Sequence, residues 1–249
     1  LVEQGIPRVT WDKLGVVETD SGAAERHIKR ILEIPYIDAK AIRSRKFTVA
    51  LDCVRGAGSV IVPHLLAQLG CEVAAIHTDP DGRFPRPPEP VPENLGELER
   101  LVARSGPDVG LAVDPDVDRL ALVSEQGKAI GEDYTLALAS MLVLRHRMGP
   151  VVTNLSTSLV VQHAVTRAGS KLTLAPVGEV NVAVRMRELN AVIGGEGNGG
   201  VILSEVHLGR DAPVGIALIL QLLTETGKSL SVLVDELPHY AIVKDKLDR

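Results

Sequence analysis

The chain has 249 residues, enough for two ordinary domains, and its 45% hydrophobic and 24% charged residues are the balance of a soluble globular protein. A net charge of −5 and 2% aromatics argue against a nucleic-acid partner, which would need basic patches or base-stacking surfaces. No apolar run reaches the length of a membrane span, so no membrane partner is expected either.

Residues 1–41 read as the end of one unit and a connector. Ser21 to Glu33 is expected as a helix capped by Ser21, with Ile28, Ile31 and Leu32 on one face and Pro35 ending it. A second unit, 42–149, opens with the strand Phe47–Leu51. Gly56-Ala57-Gly58-Ser59 turns into a helix from Val60 to Leu69, closed by Gly70, and Glu72–Ile76 is the next strand. Cys53 and Cys71 in this stretch lack metal or redox spacing and read as buried thiols of a reducing, cytoplasmic compartment. A proline-rich loop runs through Pro92 into a helix from Glu93 to Arg104, with Leu95, Leu98, Leu101 and Val102 inward. Strands at 109–113 and 120–123 follow, then an apolar helix from Glu132 to Arg147 stopped by Gly149-Pro150.

The pattern then restarts as a third unit, 150–238. It has a strand at 151–155, a helix from Ser158 to Ala168 closed by Gly169, a strand at 171–175 and a helix at 178–189. A glycine-rich loop at 194–200 lies between Ala191–Ile193 and Val201–Leu203, and Pro213 to Thr226 is a closing helix. Ser59 and Ser158, like Gly70 and Gly169, stand 99 residues apart. Asp114 and Glu196, like Asp116 and Asn198, stand 82 apart, and the proline-rich insertion 79–92 accounts for the difference. The expected fold is α/β: two tandem homologous domains, each a mixed β-sheet layered between helices. Residues 239–249 read as a link toward a further domain. The start at Leu1 without methionine and the charged end at Arg249 suggest a piece of a longer protein.

The chemistry concentrates at Val113-Asp114-Pro115-Asp116-Val117-Asp118-Arg119. Apolar strands flank a loop that crowds three aspartates together. At about 4 Å each pair would repel by roughly 1–4 kcal/mol, a cost that a hard dication relieves. Two other readings stay open. One is a polar turn with aspartates capping amides. The other is a calcium-sensing EF-hand on Asp114, Asp116, Asp118 and Glu125, although Arg119 stands where that loop needs glycine and the flanks are β-like. In the glycine-rich loop, Glu196 and Asn198 could meet vicinal hydroxyls of one small molecule, or the loop could be a hairpin with a solvated glutamate.

These motifs resemble the α-D-phosphohexomutases: phosphoglucomutase, phosphomannomutase and phosphoglucosamine mutase. Asp114 to Arg119 resembles the family's magnesium loop, and Gly195-Glu196-Gly197-Asn198-Gly199-Gly200 its sugar-recognition loop. Pro80–Pro85 with Pro92–Leu95, Pro176–Glu179 and Gly209-Arg210-Asp211 resemble further family stretches. The resemblance implies a four-domain enzyme, of which this chain would supply the tail of the first domain, all of the second and third, and the link toward the fourth. It implies an isomerase that moves a phosphoryl group between O6 and O1 of a hexose phosphate through an enzyme phosphoserine and a bisphosphate. Asp114, Asp116 and Asp118 would bind Mg2+, Arg119 would be catalytic, and Glu196, Asn198 and Gly178 would bind substrate. The family's phosphoserine motif is absent from this sequence, so the piece alone is expected to be inactive. Ser156 and Ser158, at a strand–helix turn, read as caps. Gly200 stands where many relatives have histidine, Asn198 replaces serine, and Leu174 and Ala175 replace basic residues. A non-catalytic sugar-phosphate or metal-binding module of the same fold remains the alternative.

Overall fold

We describe residues 8–241 of a computed structural model. Residues 8–20 are exposed, with one 3-10 turn at Trp11–Lys13. Then come α1 (Ala23–Leu32), α2 (Ala39–Arg45), β1 (Thr48–Asp52), α3 (Gly58–Gln68) and β2 (Glu72–Ile76). A 3-10 turn at Pro92–Asn94 precedes α4 (Gly96–Ser105), β3 (Val109–Val113), β4 (Leu120–Ser124) and α5 (Asp133–His146). The second half holds β5 (Val151–Asn154), α6 (Leu159–Arg167), β6 (Leu172–Ala175), α7 (Glu179–Leu189), β7 (Ile193–Glu196), β8 (Gly200–Leu203), α8 (Ala212–Thr226) and α9 (Leu230–Asp235).

The two sheets have the same topology, β2-β1-β3-β4 and β6-β5-β7-β8. In each, the first three strands in that order are parallel and the last is antiparallel. The duplicated α/β architecture expected from the sequence offsets is therefore present, and β3–β4 corresponds to β7–β8. Side chains alternate across the sheets as strand geometry requires. In the first, Ala50, Ala112, Ala121 and Val123 pack under Leu98 and Val102 of α4 and Leu95 just before it. Val49, Leu51, Leu111 and Leu122 point the other way, into a core that also takes Val151, Ile193, Val201 and Leu203 of the second sheet. The outer face of the second sheet, Val152, Ala175 and Ile202, is covered by Val182 and Met186 of α7. Within the common core lies α8, buried from Ala212 through Leu223 and in contact with α1, α2, α3 and β4 as well as α5 and β8.

Several boundaries differ from the sequence reading. The α1 start is served by Asp20, whose Oδ1 accepts the Gly22 N–H at 2.9 Å, and not by Ser21. The helix expected from Glu93 begins at Gly96, because Pro92 first closes a 3-10 turn, its carbonyl accepting the Leu95 N–H at 3.1 Å. Residues 194–200 are not a loop throughout: β7 and β8 extend into the glycine run and leave only Gly197-Asn198-Gly199 between them. Two short helices, α2 and α9, were not anticipated. Ser158 caps α6 as expected, accepting the Val160 N–H at 3.3 Å, whereas Ser156 donates its backbone N–H to Asn154. Both cysteines are free, and burial pushes each thiol up to about 12.

Candidate functional site

The aspartate loop closes around Asp114, which is fully buried at the end of β3. Its Oδ1 accepts the N–H groups of Asp118 and Arg119, both at 3.0 Å, and its Oδ2 accepts Arg119 Nε at 2.6 Å. Closing the turn forces Val117 to φ 62°, a conformation costing a β-branched residue about 1–3 kcal/mol. The turn between β1 and α3 supports the loop from below. Ala57 N–H donates to Pro115 O at 2.8 Å, and a Cβ on Gly56 would lie 2.5 Å from Pro115 Cα. Arg86 ties the proline-rich loop to the same place, donating from Nε to buried Asp52 at 2.7 Å and from Nη2 to Val113 O at 3.2 Å. Asp52 also pairs with His77 Nδ1 at 3.0 Å.

Asp114, Asp116 and Asp118 each present a carboxylate oxygen, and these oxygens lie within 4.8 Å of one another. Burial works against the charge on Asp114, but hydrogen bonds from Arg119 and Asp118 hold its pKa below the usual value. Asp116 is raised by burial and by the neighbouring Asp114 charge. Asp118 is pushed up to about 7, first by burial, then by Asp114. Asp118 Oδ1 is also buried without a hydrogen-bond donor. A carboxylate oxygen that is buried among two other carboxylates, with no hydrogen-bond donor and only Arg119 Nε near it at 3.6 Å, fits a hard cation such as Mg2+, which favours the ionised form. The EF-hand reading fails, because strands flank the loop and Glu125 accepts from Ser231 N–H at 3.2 Å, away from the aspartates.

Glu196 ends β7 and is 4% exposed. Its Oε1 accepts Asn154 Nδ2 at 2.6 Å and the Gly178 N–H at 3.2 Å, and its Oε2 accepts Arg210 Nη1 at 2.7 Å. Gly178, at φ 117°, precedes α7. Asn198 is half-buried and accepts the Gly200 N–H at 3.2 Å.

The two loops meet. Arg119 and Gly200 form an antiparallel bridge, and Leu120 N–H donates to Gly199 O at 3.0 Å. Arg210 joins them a second time, with Nη2 on Asp118 Oδ2 and Nη1 on Glu196. Its backbone N–H donates to Glu179 Oε1 at 2.7 Å. Asp114, Asp116, Asp118, Arg119, Glu196, Asn198 and Gly178 thus lie in one neighbourhood. Sequence reasoning quoted Gly209-Arg210-Asp211 as a motif without giving Arg210 a role, and it passed over Asn154, Asp52 and Arg86. His207 places Nε2 2.8 Å from Asp211 Oδ2, which His27 Nε2 also reaches at 2.7 Å.

Comparison with known proteins agrees with this architecture. The family model for phosphoglucomutase/phosphomannomutase α/β/α domain II matches residues 25–127, and that for domain III matches 131–240. A protein of Methanopyrus kandleri named "Probable phosphoglucosamine mutase" is 38% identical over 96% of this chain and 52% of its own length. A phosphoglucomutase/phosphomannomutase of Thermococcus kodakarensis is 39% identical over 96% of this chain and 52% of its own length. The crystal structure of a phosphoglucomutase/phosphomannomutase family protein from Burkholderia thailandensis superposes with a TM-score of 0.76 at 26% identity, over 88% of this chain and 47% of that one. The chain therefore spans about half the length of the curated relatives it matches. Matched in order by both domain models, and sharing the fold of a solved family member, the chain belongs to the α-D-phosphohexomutase family, of which it carries the second and third α/β/α domains.

Proposed function

We propose that this chain is the central part of a magnesium-dependent phosphohexomutase, an isomerase that moves a phosphoryl group between O6 and O1 of a hexose phosphate. The observation that carries the reading is the convergence of three aspartate carboxylates opposite Glu196, with one arginine touching both sides. Asp114, Asp116 and Asp118 would hold Mg2+. When bound, the ion would offset negative charge on the transferring phosphoryl group, the main demand of this chemistry.

The remaining work falls to this chain's own groups. Asp114 is fixed by two backbone donors and Arg119, so the loop is organised before any ligand arrives. Arg119 supplies fixed positive charge beside the aspartates while its Nε stays on Asp114. Glu196 Oε1 is engaged by two donors and Oε2 by one, which leaves Oε2 capacity for a sugar hydroxyl. Asn198 spends its side-chain oxygen on Gly200, which frees its amide N–H groups for a second hydroxyl. Gly178 steadies Glu196 through its N–H. A site that reads hydroxyls this way tolerates a hexose in either orientation, as exchange of its two phosphorylated ends requires.

The serine that carries the phosphoryl group would lie in a first domain and the phosphate-binding loop in a fourth, so residues 1–249 alone are inactive on this reading. The sequence alone puts the end of that first domain and its connector at 1–41, the metal-binding domain at 42–149, the sugar-recognition domain at 150–238 and the link onward at 239–249. The packing of α5 on α6, α8 and β7 favours drawing the middle seam ahead of α5. Two free thiols, Cys53 buried and Cys71 half-buried where the sequence suggested both buried, suit a cytoplasmic enzyme. None of the described helices is long and apolar enough to cross a membrane.

The test is Asp116→Ala in the full-length protein, assayed with glucose, mannose and glucosamine phosphates. Turnover should fall by at least about 10²–10³-fold, the scale for losing a preorganised electrostatic group, and Mg2+ binding should weaken. Full activity in the variant would refute the reading. Sugar-phosphate binding without turnover in the intact wild type would instead favour a non-catalytic module of the same fold.

A further inference from the structure

We infer that Arg210 is a positioning residue that competes with the dication for Asp118 and thereby couples metal binding to the state of Glu196. This inference rests on the metal-loop reading above. Arg210 is 17% exposed in its side chain and lies between Asp118 at 18% and Glu196 at 6%, so both ion pairs are shielded from solvent screening.

The space Arg210 occupies is provided by Gly200. A Cβ there would meet Arg210 Cδ and would lie 2.9 Å from Arg210 Cγ. A larger residue at 200 and this arginine conformation exclude each other. The absent side chain at 200 and the arginine ten residues on are therefore two parts of one arrangement. The cation that bridges the loops is delivered from the segment before α8, not from the β7–β8 turn.

The hold on Asp118 is made to be released. Arg210 Nε is buried without a hydrogen-bond acceptor, its nearest acid being Glu179 Oε2 at 3.6 Å. Only the guanidinium tips are committed, one to each loop. A cation bound at Asp118 Oδ1 draws charge from the carboxylate that Nη2 holds at Oδ2, so that contact loosens while Nη1 stays on Glu196. The freed N–H then faces the space between the loops, where an oxygen of a hexose phosphate can accept it. Before that exchange, Arg210 neutralises Asp118, keeps the two loops together and holds Glu196 in place. The same side chain thus weakens binding of the metal alone and strengthens binding of metal and sugar phosphate together, a coupling that must be reciprocal.

Mn2+ titrated into the full-length protein and followed by the electron paramagnetic resonance of the free ion tests this directly. Arg210→Met should bind Mn2+ roughly tenfold more tightly than wild type, the scale of one shielded charge pair. Calorimetry with glucose 6-phosphate should show Mn2+ strengthening its binding in wild type but not in Arg210→Met. Arg210→Lys keeps the charge but cannot span both acids, so it should give a smaller gain in Mn2+ affinity. It also serves if the Met variant does not fold. Unchanged Mn2+ affinity in both Arg210 variants, with binding lost in Asp116→Ala, overturns the inference and leaves the metal loop standing. Mn2+ binding that Asp116→Ala does not weaken overturns the metal loop itself.

Discussion

Gly199 is the residue on which the meeting of the two loops turns. Its carbonyl receives the Leu120 N–H, and a Cβ on it would stand 2.5 Å from the Leu120 carbonyl oxygen. It also sits at φ 90°, which a side chain tolerates poorly. Gly199→Ala should therefore cost about 2–4 kcal/mol in urea unfolding, strain and clash together. Gly82 is the control: at φ 71° it has nothing within 4 Å of a Cβ, so Gly82→Ala should cost only the conformational part, about 1 kcal/mol. Equal effects at the two sites would remove the close approach of the loops as the cause. The same scale explains what could be read in advance. Three aspartates between apolar runs announce themselves, because such crowding needs a reason. Glu196 is visible because glycines surround it. Asn154, Asp52, Arg86 and Arg210 carry no such local signal; each is a single polar residue whose partner lies far along the chain, as with Arg86 and Asp52 or Arg210 and Asp118.

At the scale of elements, the glycine run 194–200 misled because glycine is poor in strands. Here its smallness is what lets β7 pack: a Cβ on Gly194 would lie 2.6 Å from Val152 O and in contact with Met186 of α7. Helices α2 and α9 escaped notice because seven and six residues carry too little periodicity, although Asp38 caps α2 by accepting Lys40 and Ala41 N–H groups at 3.0 and 2.9 Å. Helix α8 was legible, and its start does more than the sequence suggests. Asp211 caps it through Val214 N–H at 2.9 Å and offers its other oxygen to His207 and to His27 on α1. This clamp between α1 and α8 is pH-dependent. The hydrogen bond to Asp211 holds His27 above its usual 6.5, against burial. Its stabilising share is complete below 6.5 and is lost as pH rises through the raised value. Burial works against the charge on Asp211, but its two histidines hold it below 3.8, so its share is present above 3.8 and is lost only as pH falls through the lowered value. The clamp works between those limits. The stability difference between wild type and His27→Gln should be about 1–2 kcal/mol near pH 6 and shrink toward pH 9. A difference that stays constant across that range would mean that His27 contributes packing and not charge.

At the scale of the molecule, duplication and integration pull in different directions. The sheets are two copies of one plan, and each outer face has its own helix, α4 or α7. The inner faces do not close separately. They share one apolar cluster with α8 buried in it, and α8 touches elements of both halves. The backbone bridge from Arg119 to Gly200 adds a polar seam to this apolar one. Two units joined only by a linker would unfold independently, whereas a shared core makes each half part of the other's solvent-excluding surface. The expected behaviour is one cooperative transition. Native-state hydrogen exchange should give Leu51 and Leu111 in the first sheet and Val152 and Ile193 in the second the same opening free energy, within about 1 kcal/mol. Leu218, fully buried in α8, is the sharper probe. Leu218→Ala should remove about 3–5 kcal/mol and lower protection in both sheets by the same amount, because the cavity opens in a core that both use. A loss confined to the second sheet would mean that the halves adhere without sharing stability. The geometry between Asp118 and Glu196 would then rest on Arg210 and on the Leu120–Gly199 and Ala212–Val117 backbone hydrogen bonds, and substitutions at Arg210 and Gly199 would be expected to loosen the loops without unfolding either half.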